Sequence, residues 1–159
     1  MNQPLAGIRV LDLTRLLPSG VATQMLADMG ADVIKIEDPN GGDYARWMGP
    51  TIDDSSVFFR MNNRTKRSLI LNLKSGEGAS VLKRLVRQVD VLVESFRPGV
   101  MAKFGCDYEA LRAENPKLIY CAISGWGATG PYAPFANHDI NYVALAGVIG
   151  AMEHPQVLG

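Results

Sequence analysis

Hydrophobic positions along the chain follow two habits: short dense runs, and longer stretches where apolar residues return every three or four positions. Residues 7–13 (GIRVLDL) form a β-rich run. Beyond TRLLPSG, Val21, Met25, Leu26 and Met29 recur at helical spacing, which predicts a helix with Ser19 as N-cap and Gly30 as C-cap. Asp32–Glu37 (DVIKIE) is the next strand, and a strand–helix–strand unit predicts a right-handed crossover with parallel pairing. Residues 38–57 interrupt the rhythm. Pro39, Asn40, Gly41, Gly42, Gly49 and Pro50 punctuate what reads as one long loop, of the kind that is usually functional or mobile. The pattern resumes with a strand at 69–73 and a helix opened by Ser75, with Ala79, Leu82, Leu85, Val86 and Val89 on one face. A buried strand at Val91–Glu94, a short helix at Tyr108–Glu114 and a strand at 118–123 follow, and Asp139 is the predicted cap of a last helix reaching about residue 149.

This alternation predicts one α/β domain over residues 1–159, built on an open, doubly wound, mostly parallel Rossmann-like sheet. Ligands of such sheets sit beyond the carboxyl ends of the strands, where the strand order reverses. The loops after Leu13, Glu37, Glu94 and Ile123 are therefore the first places to look for chemistry.

Composition and charge narrow the function. Hydrophobic residues make up 47% and charged residues 20%, an ordinary globular balance with material for a core. Lys plus Arg and Asp plus Glu are 16 each, which argues against nucleic acid as the main partner. The charges are unevenly spread, however. From Arg60 to Arg87 stand Arg60, Arg64, Lys66, Arg67, Lys74, Lys83, Arg84 and Arg87, against the single acid Glu77. In the segment 63–67 (NRTKR) this reads as a polyphosphate site, since Arg suits bidentate phosphate contacts and Lys supplies a point charge; Lys83, Arg84 and Arg87 read as a solvated helix face. Cys106 and Cys121 stand outside any C-x-x-C pair or His/Cys cluster, so they read as reduced thiols and no metal site is expected. The start, MNQPLAGIRV, lacks the basic-then-apolar pattern of a secretory signal, and the longest apolar stretch, 142–152, is too short to span a bilayer. The expectation is a cytoplasmic protein without a membrane partner.

Three further segments carry candidate chemistry. In residues 94–99 (ESFRPG), directly after a buried strand, Phe96 could stack on a base and Arg97 meet a phosphate, with Pro98 and Gly99 opening a short helix; the plain alternative is a strand-to-helix turn with an exposed Arg. Residues 125–130 (GWGATG) match G-x-G-x-x-G after a strand, but Pro131 follows and no amphipathic helix begins there, so a glycine-rich cover over a ligand fits better than a dinucleotide fingerprint. His154, between Glu153 and Pro155, reads as a surface residue. His138 stands just before the last predicted helix, and a lone His there is more often a cap or surface residue than a base; the residues by themselves leave its role open.

Taken together, LAGIRVLDLTRLLPSGVATQMLADMGADVIKIEDPNGGD, NRTKRSLILNLKS, DVLVESFRPGVMAKFG, ENPKLIY, SGWGATGPY and NHDINYVALAGV resemble the N-terminal region of the family III CoA-transferases, in order and spacing, over nearly the whole chain. Within that family, His138-Asp139-Ile140-Asn141-Tyr142 is most similar to a segment of the α-methylacyl-CoA racemases, with Asn137 replacing a Gly. The resemblance implies that His138 is one of two proton-transfer residues, removing and returning the proton α to the thioester carbonyl of a 2-methyl-branched acyl-CoA. It implies coenzyme A as part of the substrate, no prosthetic group, and Arg64, Arg67, Phe96, Arg97 and Lys103 as its neighbours. Asp38 departs from the family, where an Arg often stands. The alternative is transfer of CoA between carboxylic acids through an aspartyl anhydride, with His138 incidental; a third is a CoA-binding fragment without catalysis. The family's chains are more than twice as long and form interlocked homodimers. The implied catalytic Asp would then lie beyond Gly159, and the expectation is that the chain alone does not turn over substrate.

Overall fold

The structure, a computed structural model, describes residues 3–151, apart from the side chain of Ser19. It divides after Ser124 into two compact units.

The first unit is built on five parallel strands: β1 (Arg9–Leu13), β2 (Asp32–Glu37), β5 (Arg67–Ile70), β6 (Val91–Glu94) and β7 (Ile119–Ala122), in the order β5-β2-β1-β6-β7. Two short antiparallel strands, β3 (Thr51–Ile52) and β4 (Ser55–Ser56), form a separate hairpin. Helices α1 (Leu17–Asp28), α2 (Val57–Asn63), α3 (Gly76–Val86), α4 (Val100–Lys103) and α5 (Tyr108–Glu114) complete the unit. This is the α/β Rossmann-like architecture that the alternating pattern predicts. No helix among the described residues is long and apolar enough to cross a membrane.

The two faces of the sheet differ, and the strand pleat explains how. Leu11, Leu13, Ile36 and Leu92 point to one face, where they bury Leu82 and Val86 of α3, Met101 of α4 and Leu111 of α5. That core is apolar up to the carboxyl end of β6, where the buried Glu94 accepts from the Phe96 N–H and the Tyr120 hydroxyl. On the other face Val10, Val33 and Val93 pack with Ala27 of α1 and Ala31. The next positions on that face are charged: Asp12 and Lys35, both buried. A buried charge survives only when paired and hydrogen-bonded, so this half of the sheet carries a polar network instead of a core.

Several boundaries differ from the expectation, each for a local reason. Helix α1 begins at Leu17 with Leu16 as its N-cap and Pro18 in its first turn, where a missing N–H costs nothing, so Ser19 lies inside the helix. Strand β5 ends at Ile70; only the Leu71 N–H continues the ladder, to the Glu37 carbonyl at 2.9 Å. The stretch read as one loop holds a 3-10 turn, Tyr44–Trp47, the β3–β4 hairpin and the start of α2. Asp43 caps the 3-10 turn by accepting from the Ala45 N–H, and Ser56 caps α2 by accepting from the Phe59 N–H. Ser75 does open α3, accepting from the Gly78 N–H at 3.1 Å.

Candidate functional site

The chain steps outward from β1 to β2 and β5, then returns to the opposite side of β1 with β6 and β7, so the order reverses between β1 and β6. A cleft of about 360 Å³ opens past the carboxyl ends of these strands. Leu13, Ile36, Leu71 and Leu73 supply its apolar lining; Tyr44, Phe96 and Phe104 supply rings; Arg15, Asp38 and Lys74 supply charge.

Arg15 links these parts. Its guanidinium carbon lies 5.4 Å from the centre of the Tyr44 ring and 5.6 Å from that of Phe96. Phe96 is braced edge-on by Phe104, with centroids 6.0 Å apart. The ion pair of Arg15 with Asp38 is loose, at 3.6 Å. The Asp38 carboxyl is held below its usual range, first by the Asn40 N–H, which it accepts at 2.8 Å, with Lys74 and Arg15 adding to this. The cleft lining therefore holds two cations, Arg15 and Lys74, and two carboxylates, Asp38 and Glu37.

The polar network lies behind this lining. Lys35 pairs with Asp43 at 2.9 Å, both side chains 2% exposed, and donates to the Thr14 carbonyl at 2.8 Å. Lys66 pairs with Asp12 at 3.0 Å and donates to Thr23 Oγ1 and the Gly20 carbonyl. Burial pulls the Lys66 ammonium below its usual range, and Asp12 offsets part of that. Glu37 accepts from Arg46 through both oxygens at 2.7 Å, from Ser68 and from the Asp43 N–H. Burial alone would raise its pKa, but these donors outweigh burial and hold it at about 2. Gly42 (φ 73°) is required here, because a Cβ would stand 2.6 Å from Glu37 Oε2.

The structure sorts the basic residues read from the sequence. Phe96 lines the cleft; Arg97 and Lys103 are exposed and flank its lining residues Phe96, Val100 and Phe104 along the chain, and neither forms an ion pair among the described residues. Arg64 and Arg67 are not brought there. Arg64 pairs with Asp28 at the end of α1, and Arg67 pairs at 2.6 Å with Asp32 at the amino end of β2, on the opposite edge of the sheet. Arg60 meets Asp53 and Arg87 meets Glu114. The charge surplus between Arg60 and Arg87 is thus largely neutralised by acids distant in sequence, and Lys74 is its member in the cleft. Arg15 and Tyr44 were not singled out from the sequence; the available signal was position, since Arg15 follows β1 directly into a switch-point loop.

The second unit holds α6 (Asp139–Leu145) and α7 (Val148–Ala151), separated at Gly147, whose φ of 77° ends the single helix expected there. His138, not Asp139, is the N-cap of α6; it is exposed, and its N–H donates to Asn141 Oδ1 at 2.7 Å. The glycine-rich stretch 125–130 packs through Trp126 against Tyr132 and Tyr142, and no helix begins before Asp139. Gly125 leaves room for Asn137 and Tyr142, which a Cβ would strike. His154 lies outside the described residues.

The sequence matches CoA-transferase family III over residues 5–157. It is 48% identical over 159 residues to the succinate–glutarate CoA-transferase of Agrobacterium fabrum, covering 96% of this chain and 40% of that protein. It is 43% identical over 145 residues to human α-methylacyl-CoA racemase, covering 91% of this chain and 34% of that one. A crystal structure of a CaiB/BaiF family protein from Brucella suis aligns with a TM-score of 0.90 at 40% identity, covering 100% of this chain and 44% of that chain. The chain spans about 40% of the length of the Agrobacterium relative.

Proposed function

The chain belongs to CoA-transferase family III, and on that premise we propose that its carboxyl-edge cleft holds the coenzyme A part of an acyl-CoA thioester. The observation that carries this is Arg15 set between the Tyr44 and Phe96 rings, with Lys74 in the same cleft. Coenzyme A offers a purine with two π-faces and phosphates that need cations, and this lining supplies both partners. Phe96, Arg97 and Lys103 are its proposed neighbours from the β6–α4 side. Arg64 and Arg67 are left out of this reading, because Asp28 and Asp32 engage them away from the cleft.

For the reaction of the whole protein, we propose transfer of CoA between carboxylic acids, supported by the higher identity to a named CoA-transferase. A second reading, epimerisation of the carbon α to the thioester, is favoured by one observation: the His138–Asp139–Ile140–Asn141–Tyr142 segment, with the His138 side chain exposed at the start of α6. There His138 would take the α-proton from one face, and the thioester carbonyl would carry the resulting enolate charge. Two assays separate the readings. Transfer of CoA from an acyl-CoA thioester to a free carboxylic acid, unchanged in His138→Ala, supports transfer. Exchange of the α-proton with solvent deuterium, abolished in His138→Ala and without CoA transfer, contradicts it and supports epimerisation.

A further inference from the structure

The loop between β1 and α1 has a backbone that its sequence does not favour. Leu16 adopts φ 59°, ψ −148°, a region that only glycine enters easily. Such a geometry persists only where the surroundings over-determine it, and here they do. The Thr14 carbonyl accepts from Lys35 Nζ at 2.8 Å. The Arg15 N–H donates to Ser95 Oγ at 3.0 Å. The Leu16 N–H donates to Asp43 Oδ1 at 3.2 Å. Lys35 and Asp43 are also joined to each other at 2.9 Å, so one buried pair grips the backbone on both sides of Arg15.

We propose that the buried Lys35–Asp43 pair is a positioning device for Arg15, with Asp43 as the member that holds the strained Leu16 peptide and so aims the guanidinium between Tyr44 and Phe96. An ion pair placed there for stability alone would be poorly chosen, since burying two charges costs about what their attraction returns. What a hydrophobic pair could not supply is the acceptor for the Leu16 N–H and the donor for the Thr14 carbonyl. Asp43 is itself held, because its N–H donates to Glu37 Oε2 at 3.1 Å and its Oδ1 also accepts from the Ala45 N–H at 3.0 Å. The pair thereby couples the β1–α1 loop to the 3-10 turn that carries Tyr44. The effect on coenzyme A binding rests on the function proposed above; the effect on the loop does not.

Two variants separate positioning from plain stability. Asp43→Asn keeps an oxygen acceptor for Leu16 but weakens the pair with Lys35. Lys35→Met/Asp43→Leu removes both charges at similar volume and leaves no buried unpaired charge, but takes the acceptor from the Leu16 and Ala45 N–H groups and the donor from the Thr14 carbonyl. Calorimetric titration of the purified protein with coenzyme A is expected to give a Kd within about threefold of wild type for Asp43→Asn despite a lower melting temperature. The double variant should melt no lower than Asp43→Asn and bind at least about tenfold more weakly than wild type. Hydrogen exchange supplies the second readout. The Leu16 amide should stay protected in Asp43→Asn and lose protection in the double variant while the β1 amides keep theirs. Affinity that follows melting temperature across both variants, or a Leu16 amide still protected in the double variant, overturns the proposal. Wild-type protein that does not bind coenzyme A defeats the functional reading instead, and the exchange result then judges the loop alone.

Discussion

The two edges of the sheet carry the same kinds of residue and use them differently. Each opens a cleft, about 400 Å³ at the amino edge and about 360 Å³ at the carboxyl edge, and each cleft presents arginine. At the amino edge Arg67 is locked to Asp32 at 2.6 Å and Arg9 donates to the Gln88 carbonyl. At the carboxyl edge Arg15 lies beside the Tyr44 and Phe96 rings, donates to the Tyr44 hydroxyl at 3.4 Å and has its carboxylate at 3.6 Å, and Lys74 forms no ion pair among the described residues. A close bidentate carboxylate uses up the donors that a phosphate would need. Cleft size and basic residues therefore do not by themselves mark an anion site; the proposed site rests on loosely held cationic donors beside aromatic rings.

This contrast can be broken in graded steps. The largest effect should come from the buried charges between the edges. Lys66→Ala leaves the Asp12 carboxylate, wholly buried, without its cation. It should cost about 3 kcal/mol or more, measured by urea unfolding. Next comes acid. The Glu37 carboxyl lies at about 2 in the folded chain against an ordinary 4.5, so its stabilisation is complete above about pH 5 and drains away as the pH falls toward 2. Unfolding midpoints between pH 6 and 2.5 should show a steeper loss in wild type than in Glu37→Gln, by on the order of 3 kcal/mol.

The remaining steps compare the edges directly. Phe96→Ala removes one wall of the Arg15 stack and should weaken coenzyme A about tenfold, or roughly 1.4 kcal/mol, by calorimetry. Arg67→Ala deletes an exposed ion pair at the other edge. It should change stability by less than about 1 kcal/mol and leave coenzyme A affinity at the wild-type value. Equal losses from Phe96→Ala and Arg67→Ala would erase the distinction between the edges.

How far the sequence could be read follows from the range of each interaction. Val91–Glu94 and Tyr108–Glu114 were legible to the residue, since dense apolar runs and capped helical periods are local signals. The Tyr44–Trp47 turn and α2 were not, because their short lengths give periodicity nothing to repeat and their caps lie within a Gly/Pro-punctuated stretch. The position of the site was legible in outline: the loops after Leu13, Glu37 and Glu94 do border the cleft. Its membership was not. Arg64 and Arg67 look available in a basic segment, and only the fold brings Asp28 and Asp32 to them. Arg15, alone in its loop, gains its place from Lys35, Asp43 and Ser95, up to 80 residues away. His138 was raised by family resemblance rather than by periodicity or charge.

The most direct test of the central claim is hydrogen–deuterium exchange of the purified protein with and without coenzyme A, read peptide by peptide. Binding at the carboxyl edge predicts new protection over residues 13–16, 71–74 and 95–104, with residues 32–34, 67 and 85–89 unchanged. Protection confined to the second group would contradict the account, because it would place the ligand among the arginines that this structure shows already paired.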